Sequence, residues 1–145
     1  MEKKPSEWIE EDLSSLIKNQ VGEDVSVEYK ACDSLKKEEP HKDEVSRDVS
    51  AFANSAGGTI VYGMLEDSKT HLPTGVDGGY DPSDISKEWL ENVIHSRIKP
   101  KIEGLHINPV QLKGSPAGRV AYVVSVPQSD LPPLNQASDR VRLAG

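Results

Sequence analysis

The hydrophobic positions change period several times along the chain. Ile9, Leu13, Leu16 and Ile17 fall on one face at helical spacing, after Pro5-Ser6, with Ser6 as the expected N-cap and Gly22 as the stop. Val25-Ser26-Val27-Glu28-Tyr29-Lys30 then alternates, which predicts a strand with Val25, Val27 and Tyr29 inward and Glu28 and Lys30 on the other face. Residues 33–42 are polar and predict a loop. A second helix is expected from Asp43, with the stripe Val45, Val49, Phe52 and Ala56, ending at Gly57-Gly58. Thr59-Ile60-Val61-Tyr62-Gly63-Met64 is almost continuously apolar, as a strand covered on both faces would be.

Residues 71–80 read as a glycine-rich connection with room for a short strand. Asp81-Pro82 reads as the start of a third helix, with Ile85, Trp89, Val93 and Ile94 as its buried stripe. Strands are expected near 102–112 and 119–126, the first at an edge or bulged because of Pro109. Residues 127–138 read as loop, and 141–143 as a last short strand. The order helix, strand, helix, strand, helix, strand, strand predicts one α/β or α+β domain, a mixed sheet flanked by helices.

A length of 145 residues, 35% apolar, is enough for a core of its own. No apolar run reaches the roughly 20 residues of a membrane helix. The charged N-terminus is not expected to be a secretory signal, and the single cysteine, Cys32, allows no internal disulfide. A cytoplasmic protein with no membrane partner is the expectation. Cys32 is expected to be an incidental or small buried thiol. His41, His71, His95 and His106 lack zinc spacing, and Trp8 and Trp89 are expected in the core. The formal charge of −7 is unevenly spread. Residues 1–96 carry 10 basic and 21 acidic side chains, and residues 97–145 carry 7 and 3. The net charge opposes indiscriminate binding to nucleic acid, but the last third could form a basic patch.

The segment Glu23-Asp24-Val25-Ser26-Val27-Glu28-Tyr29-Lys30, the string Ala51-Phe52-Ala53-Asn54-Ser55-Ala56-Gly57-Gly58 with its following strand, and the closing Asp139-Arg140-Val141-Arg142-Leu143-Ala144-Gly145 together resemble the Schlafen-type AlbA-like domain. The resemblance spans 23–145, preceded by an N-terminal helix in 1–22. It implies a mixed sheet flanked by helices and a DNA-binding module, commonly the N-terminal part of a longer, regulatory protein such as a transcriptional regulator. It also implies a link to RNA. Schlafen proteins of animals grip structured RNA with a pair of such domains, and some cut tRNA or rRNA with three acids and a divalent metal. Glu23, Glu28 and Glu66 match those acids by position, with Asp67 beside the third, and would be the catalytic residues and the ligands of Mg²⁺ or Mn²⁺. Against their convergence, residues five apart on a regular strand point to opposite faces and lie roughly 16 Å apart.

Three readings follow. The first is a non-catalytic module that binds DNA or RNA, with Lys30, Arg97, Lys99, Lys101, Arg119, Arg140 and Arg142 as phosphate contacts. The second is a metal-dependent RNA endonuclease. The third is a protein–protein assembly domain, favoured by the acidic first two-thirds; a homodimer is one assembly open to the chain. Gly57-Gly58 could simply turn the chain or let backbone amides approach a phosphate. No phosphate-binding loop of the Gly-x-x-x-x-Gly-Lys kind is present, so the module is not expected to bind ATP by itself.

Overall fold

The computed structural model describes residues 3–22, 26–114, 116–129 and 142–143. Among the described residues, three α-helices, α1 (Glu10–Lys18), α2 (Glu39–Ala53) and α3 (Lys87–Arg97), accompany eight strands. These are β1 (Val27–Lys30), β2 (Gly58–Tyr62), β3 (Met64–Glu66), β4 (Pro73–Val76), β5 (Ile98–Lys99), β6 (His106–Gln111), β7 (Val120–Val126) and β8 (Arg142–Leu143). The main sheet has the order β1-β2-β7-β6. β1 runs parallel to β2, and the other two pairings are antiparallel. β3–β4 and β5–β8 form separate two-stranded ribbons. The result is a single α+β domain around a mixed sheet.

Each sheet face has its own core. On one face, Ile60, Tyr62, Tyr122, Val124 and Ile107 pack with Val45, Val49 and Ala53 of α2 and Leu90, Val93 and Ile94 of α3. On the other, Tyr29, Val61, Ala121, Val123 and Val110 pack with Leu13 of α1. Burial on both faces explains the almost continuous apolar runs of β2 and β7, the two interior strands. Pro109 sits on β6, an edge strand, where a missing N–H interrupts no second ladder. The N-terminal segment is tied to that strand, because the Asn108 amide donates to the carbonyls of Pro5 and Trp8, both at 3.0 Å.

The helix starts differ from those the sequence suggests. Ser6 lies in a 3-10 turn, Pro5–Glu7; α1 begins later, with Asp12 accepting the Ile9 N–H at 2.8 Å. Ile9 is 52% exposed, so the buried stripe of α1 begins at Leu13. The stretch expected as a loop contains a 3-10 turn, Cys32–Ser34, and the first turn of α2. Asp43 is therefore inside α2, and Pro40 occupies the first turn, where no intrahelical N–H is needed. Ala56 is exposed and Ala53 takes its place in the core. Asp81 makes a side-chain turn to the N–H and hydroxyl of Ser83 and starts no helix. Ser86 caps α3, accepting the Trp89 N–H at 3.0 Å. Ile85 is buried but precedes the helix, and Leu90 supplies the deepest α3 contact.

Phe52 is half-buried rather than enclosed. Its ring lies across Gly58, where an added Cβ would come within 2.4 Å of the ring. Gly57 has φ +78° and donates its N–H to the Phe52 carbonyl at 2.8 Å. A Cβ there would lie 2.6 Å from the Val126 oxygen, so only glycine fits. Both glycines thus serve a tightly packed helix-to-strand turn. Residues 130–138 of the expected loop, together with Val25 and Val141, lie outside the described residues. No helix among the described residues is long and apolar enough to cross a membrane.

Candidate functional site

Register decides what β1 presents. In the parallel pair, Glu28 lies beside Ile60 and Lys30 beside Tyr62. Side chains at such neighbouring positions share a face, so Glu28 and Lys30 point toward the layer that holds α2. On α2, Glu44 and Asp48 are four residues apart and lie on one helix face. The two elements meet at the Lys30 ammonium, which is 3.2 Å from Glu28, 3.6 Å from Asp48 and 3.8 Å from Glu44. The Glu–Lys face of β1 is half-covered: the Lys30 side chain is 22% exposed and that of Asp48 is 20% exposed.

This crowding sets the protonation chemistry. Burial opposes the Lys30 charge, but Asp48, Glu28 and Glu44 outweigh it and hold its pKa above the usual lysine value. Asp48 is pushed up to about 6, first by burial and then by the Glu28 charge, with Lys30 pulling the other way. The Tyr62 hydroxyl, fully buried, is pushed well above the ordinary tyrosine value by burial and then by Asp48, Glu28 and Glu44. Asp48 Oδ2 and the Tyr62 hydroxyl are buried with no hydrogen-bond partner among the described residues.

Of the three acids matched to a metal site, Glu23 lies outside the described residues. Glu28 faces Lys30. Glu66 ends β3, with Oε2 3.5 Å from His71 Nδ1 and that oxygen buried without a hydrogen bond. Asp67, beside it, accepts the N–H groups of Lys69 and Thr70 and is committed to the turn. Among the described residues no group of three or more His, Cys, Asp or Glu side chains is arranged to hold a metal ion. The described residues alone therefore compose no Mg²⁺ or Mn²⁺ centre.

The basic candidates divide in two. Lys30 is held by the carboxylates above. Arg97 is held by Glu39, at 2.7 and 2.8 Å, and by Asp43. Lys99 and Lys101 are exposed and meet no carboxylate among the described residues. Lys99 is the cross-strand partner of Arg142 on the β5–β8 ribbon. Arg119 is half-buried just before β7, and Arg140 lies outside the described residues.

A family model described as Schlafen, AlbA_2 matches residues 23–143. The chain belongs to the Schlafen AlbA_2 family. A search of curated proteins gave no match. Among solved structures, the chain is similar to the N-terminal domain of a RecG-related protein from Nitrosomonas europaea, named for its relation to an ATP-dependent DNA helicase. That likeness has a TM-score of 0.55 and 21% identity, and covers 89% of this chain and 76% of that one. The chain is also similar to the DIP2311 protein from Corynebacterium diphtheriae, with a TM-score of 0.49 and 18% identity, over 92% of this chain and 29% of that one. At such identities the first likeness speaks for the fold.

Within this Schlafen AlbA_2 domain, the sequence reading missed Glu44, Asp48 and Tyr62. The i, i+4 pair of acids on a helix was a visible signal, but its destination depends on how α2 lies over β1. Tyr62 reads as plain core from its apolar run, although its side chain carries a hydroxyl inward.

Proposed function

We propose that this Schlafen AlbA_2 domain is a nucleic-acid-binding module of a larger, regulatory protein, residues 23–145 forming the module and the helix in 1–22 bracing it. It would take phosphate at the β5–β8 ribbon. The observation that carries this reading is the contrast among the cations. Lys30 and Arg97 are neutralised by acids of their own fold. Lys99 and Lys101 are exposed and meet no carboxylate among the described residues, with Arg142 in register beside Lys99. Family membership and the name of the helicase-related neighbour support the same direction. Phosphate contacts alone carry no sequence readout, so binding is non-specific, with a Kd of about 10⁻⁴ to 10⁻⁶ M.

The test is a salt titration of binding to single-stranded DNA and RNA. Replacing Lys99 and Lys101 by Ala removes two phosphate contacts and should flatten the slope of log K against log salt by about 1.4. Adding Arg142→Ala should flatten it further. An unchanged slope overturns the assignment. Self-association that ignores these variants, with no nucleic-acid binding, favours the assembly reading instead.

A second reading, a divalent-metal-dependent RNA endonuclease using Glu23, Glu28 and Glu66, is supported by the Glu66 oxygen, buried without a hydrogen-bond donor among the described residues. Calorimetry with Mn²⁺ tests it. Heat that vanishes in Glu28→Gln and Glu66→Gln supports it, and absence of heat at millimolar metal excludes it.

A further inference from the structure

On the sheet face that carries α1, the first row of side chains is open where the next row is covered. Register places Val27 beside Thr59 and Thr59 opposite Ser125, so these three share that face. Tyr29, Val61 and Val123 form the next row and pack with Leu13 of α1. At the first row lies an open groove of about 820 Å³. Val27, Thr59 and Ser125 line it, together with Trp8, Leu16 and Gly104, and the lining is mostly apolar.

Trp8 is held in this groove from two sides. The Asn108 amide donates to the Pro5 and Trp8 carbonyls, which ties the segment to β6. The Lys3 ammonium, 2.7 Å from the Asp12 carboxylate, ties it to α1. A half-buried indole fixed in this way offers an aromatic surface that needs little ordering on binding. The groove also adjoins the exposed cations. Gly104, on its lining, follows Lys101 by three residues, so their Cα atoms lie at most about 11 Å apart. Lys99 is two residues further back.

We propose that this groove takes an unstacked base of a single-stranded nucleic acid, with Trp8 as the stacking face, while Lys99 and Lys101 hold phosphates of the same strand. The inference rests on the phosphate assignment above and adds to it the class of strand. A base brings flat apolar faces to an apolar lining, and it arrives tethered to the charge that the lysines attract. A duplex keeps its bases paired and stacked and has none to offer. Stacking on an indole tolerates any base, so the groove adds affinity without sequence readout. An apolar peptide would suit the lining equally well, but it gains nothing from two exposed ammonium groups beside it.

The test titrates the chain with oligothymidylate, with an abasic strand of the same length and with a blunt duplex, at constant ionic strength. Trp89→Phe leaves Trp8 as the one tryptophan, so its fluorescence reports on the groove. Oligothymidylate should bind about tenfold more tightly than the abasic strand and quench Trp8. The duplex should behave like the abasic strand. In affinity measurements, Trp8→Leu keeps an apolar side chain but loses the aromatic face, and should erase the preference while the salt slope stays the same. Ser15→Leu, at an exposed α1 position on the groove lining, should narrow the groove and weaken the preference without touching the core. The Lys99→Ala, Lys101→Ala variant should flatten the slope for both strands and leave their ratio unchanged. Equal binding with and without bases, or a preference that survives both groove variants, overturns the groove assignment and leaves the lysine contacts standing. Quenching by an apolar peptide and by no strand makes the groove a peptide site and overturns the assignment too. If no strand binds at all, both readings fall.

Discussion

Arg97 joins α3 to α2 by holding Glu39: one guanidinium nitrogen lies 2.7 and 2.8 Å from the two carboxylate oxygens. Another nitrogen of the same group meets Asp43, one turn further along α2. The hydrogen bond from Arg97, and then its charge, hold the Glu39 carboxyl below the usual carboxylate range. A residue that reads in sequence as a phosphate contact is thus occupied in positioning two helices.

This arrangement gives the first prediction. Arg97→Ala should lower the melting temperature by a few degrees, because exposed ion pairs contribute little singly and somewhat more as a network. The effect should shrink at high salt, where such pairs are screened. The salt slope of nucleic-acid binding should stay the same in this variant. Denaturation scans at low and high salt, with a binding titration, check both halves.

The Phe52–Gly58 contact gives the second. The Phe52 ring occupies the space a Gly58 side chain would need, with the ideal Cβ 2.4 Å away. Phe52→Ala should cost about 2 kcal/mol, below the value for a fully enclosed Phe because the ring is half-exposed. Gly58→Ala alone should also destabilise, by forcing the ring aside. In the double variant the methyl should fill part of the vacated space, so the two costs should sum to more than the measured loss. Additive costs in urea unfolding would show that the ring and the glycine are independent.

Strands were more legible than helix ends, for a local reason. Val27 and Tyr29 alternate with Glu28 and Lys30, and β2 and β7 are almost continuously apolar, so their pattern follows from their own burial. Asp43 and Asp81-Pro82 look like caps in isolation. The chain begins α2 earlier, at Glu39, and spends Asp81 on a turn with Ser83. Local capping signals compete, and packing on the sheet chooses among them. The Glu28–Lys30 pair was visible because it is local. Its completion by Glu44 and Asp48, and the capture of Arg97 by Glu39, join residues distant in sequence, and charge type alone does not reveal such pairing.

Cys32 gives the third prediction. Its thiol is pushed up to about 11, first by burial and then by the Asp77 charge. Asp77 also accepts the Cys32 backbone N–H at 2.9 Å. The thiolate is the reactive form, so Cys32 should react with a disulfide reagent at pH 8 at least about tenfold more slowly than an unstructured cysteine peptide. Unfolding in urea should restore the peptide rate. A fast reaction in the folded chain would show that the thiol is open to solvent and unshifted.

Asp48 gives the fourth. Its carboxyl is raised from the ordinary 3.8 to about 6 in the folded chain, by burial first and the Glu28 charge second. Between these values the folded state holds a proton that the unfolded chain has released. The stability linked to this group therefore falls as pH rises through the window from about 4 to about 6, and stays low above it. Glu39, Asp12 and Asp67 have lowered values and act in the opposite sense, losing stability as pH falls. The total curve mixes both, so the informative quantity is a difference. Asp48→Asn keeps the shape, removes the buried charge and leaves Lys30 with Glu28 and Glu44. The variant should be more stable than the parent at pH 7.5, and the gap should close as pH falls toward 4. Thermal unfolding of both chains across that range reads the gap directly. A gap that stays constant with pH would mean that Asp48 ionises like an ordinary surface carboxylate, and that the negative charge around Lys30 is already balanced.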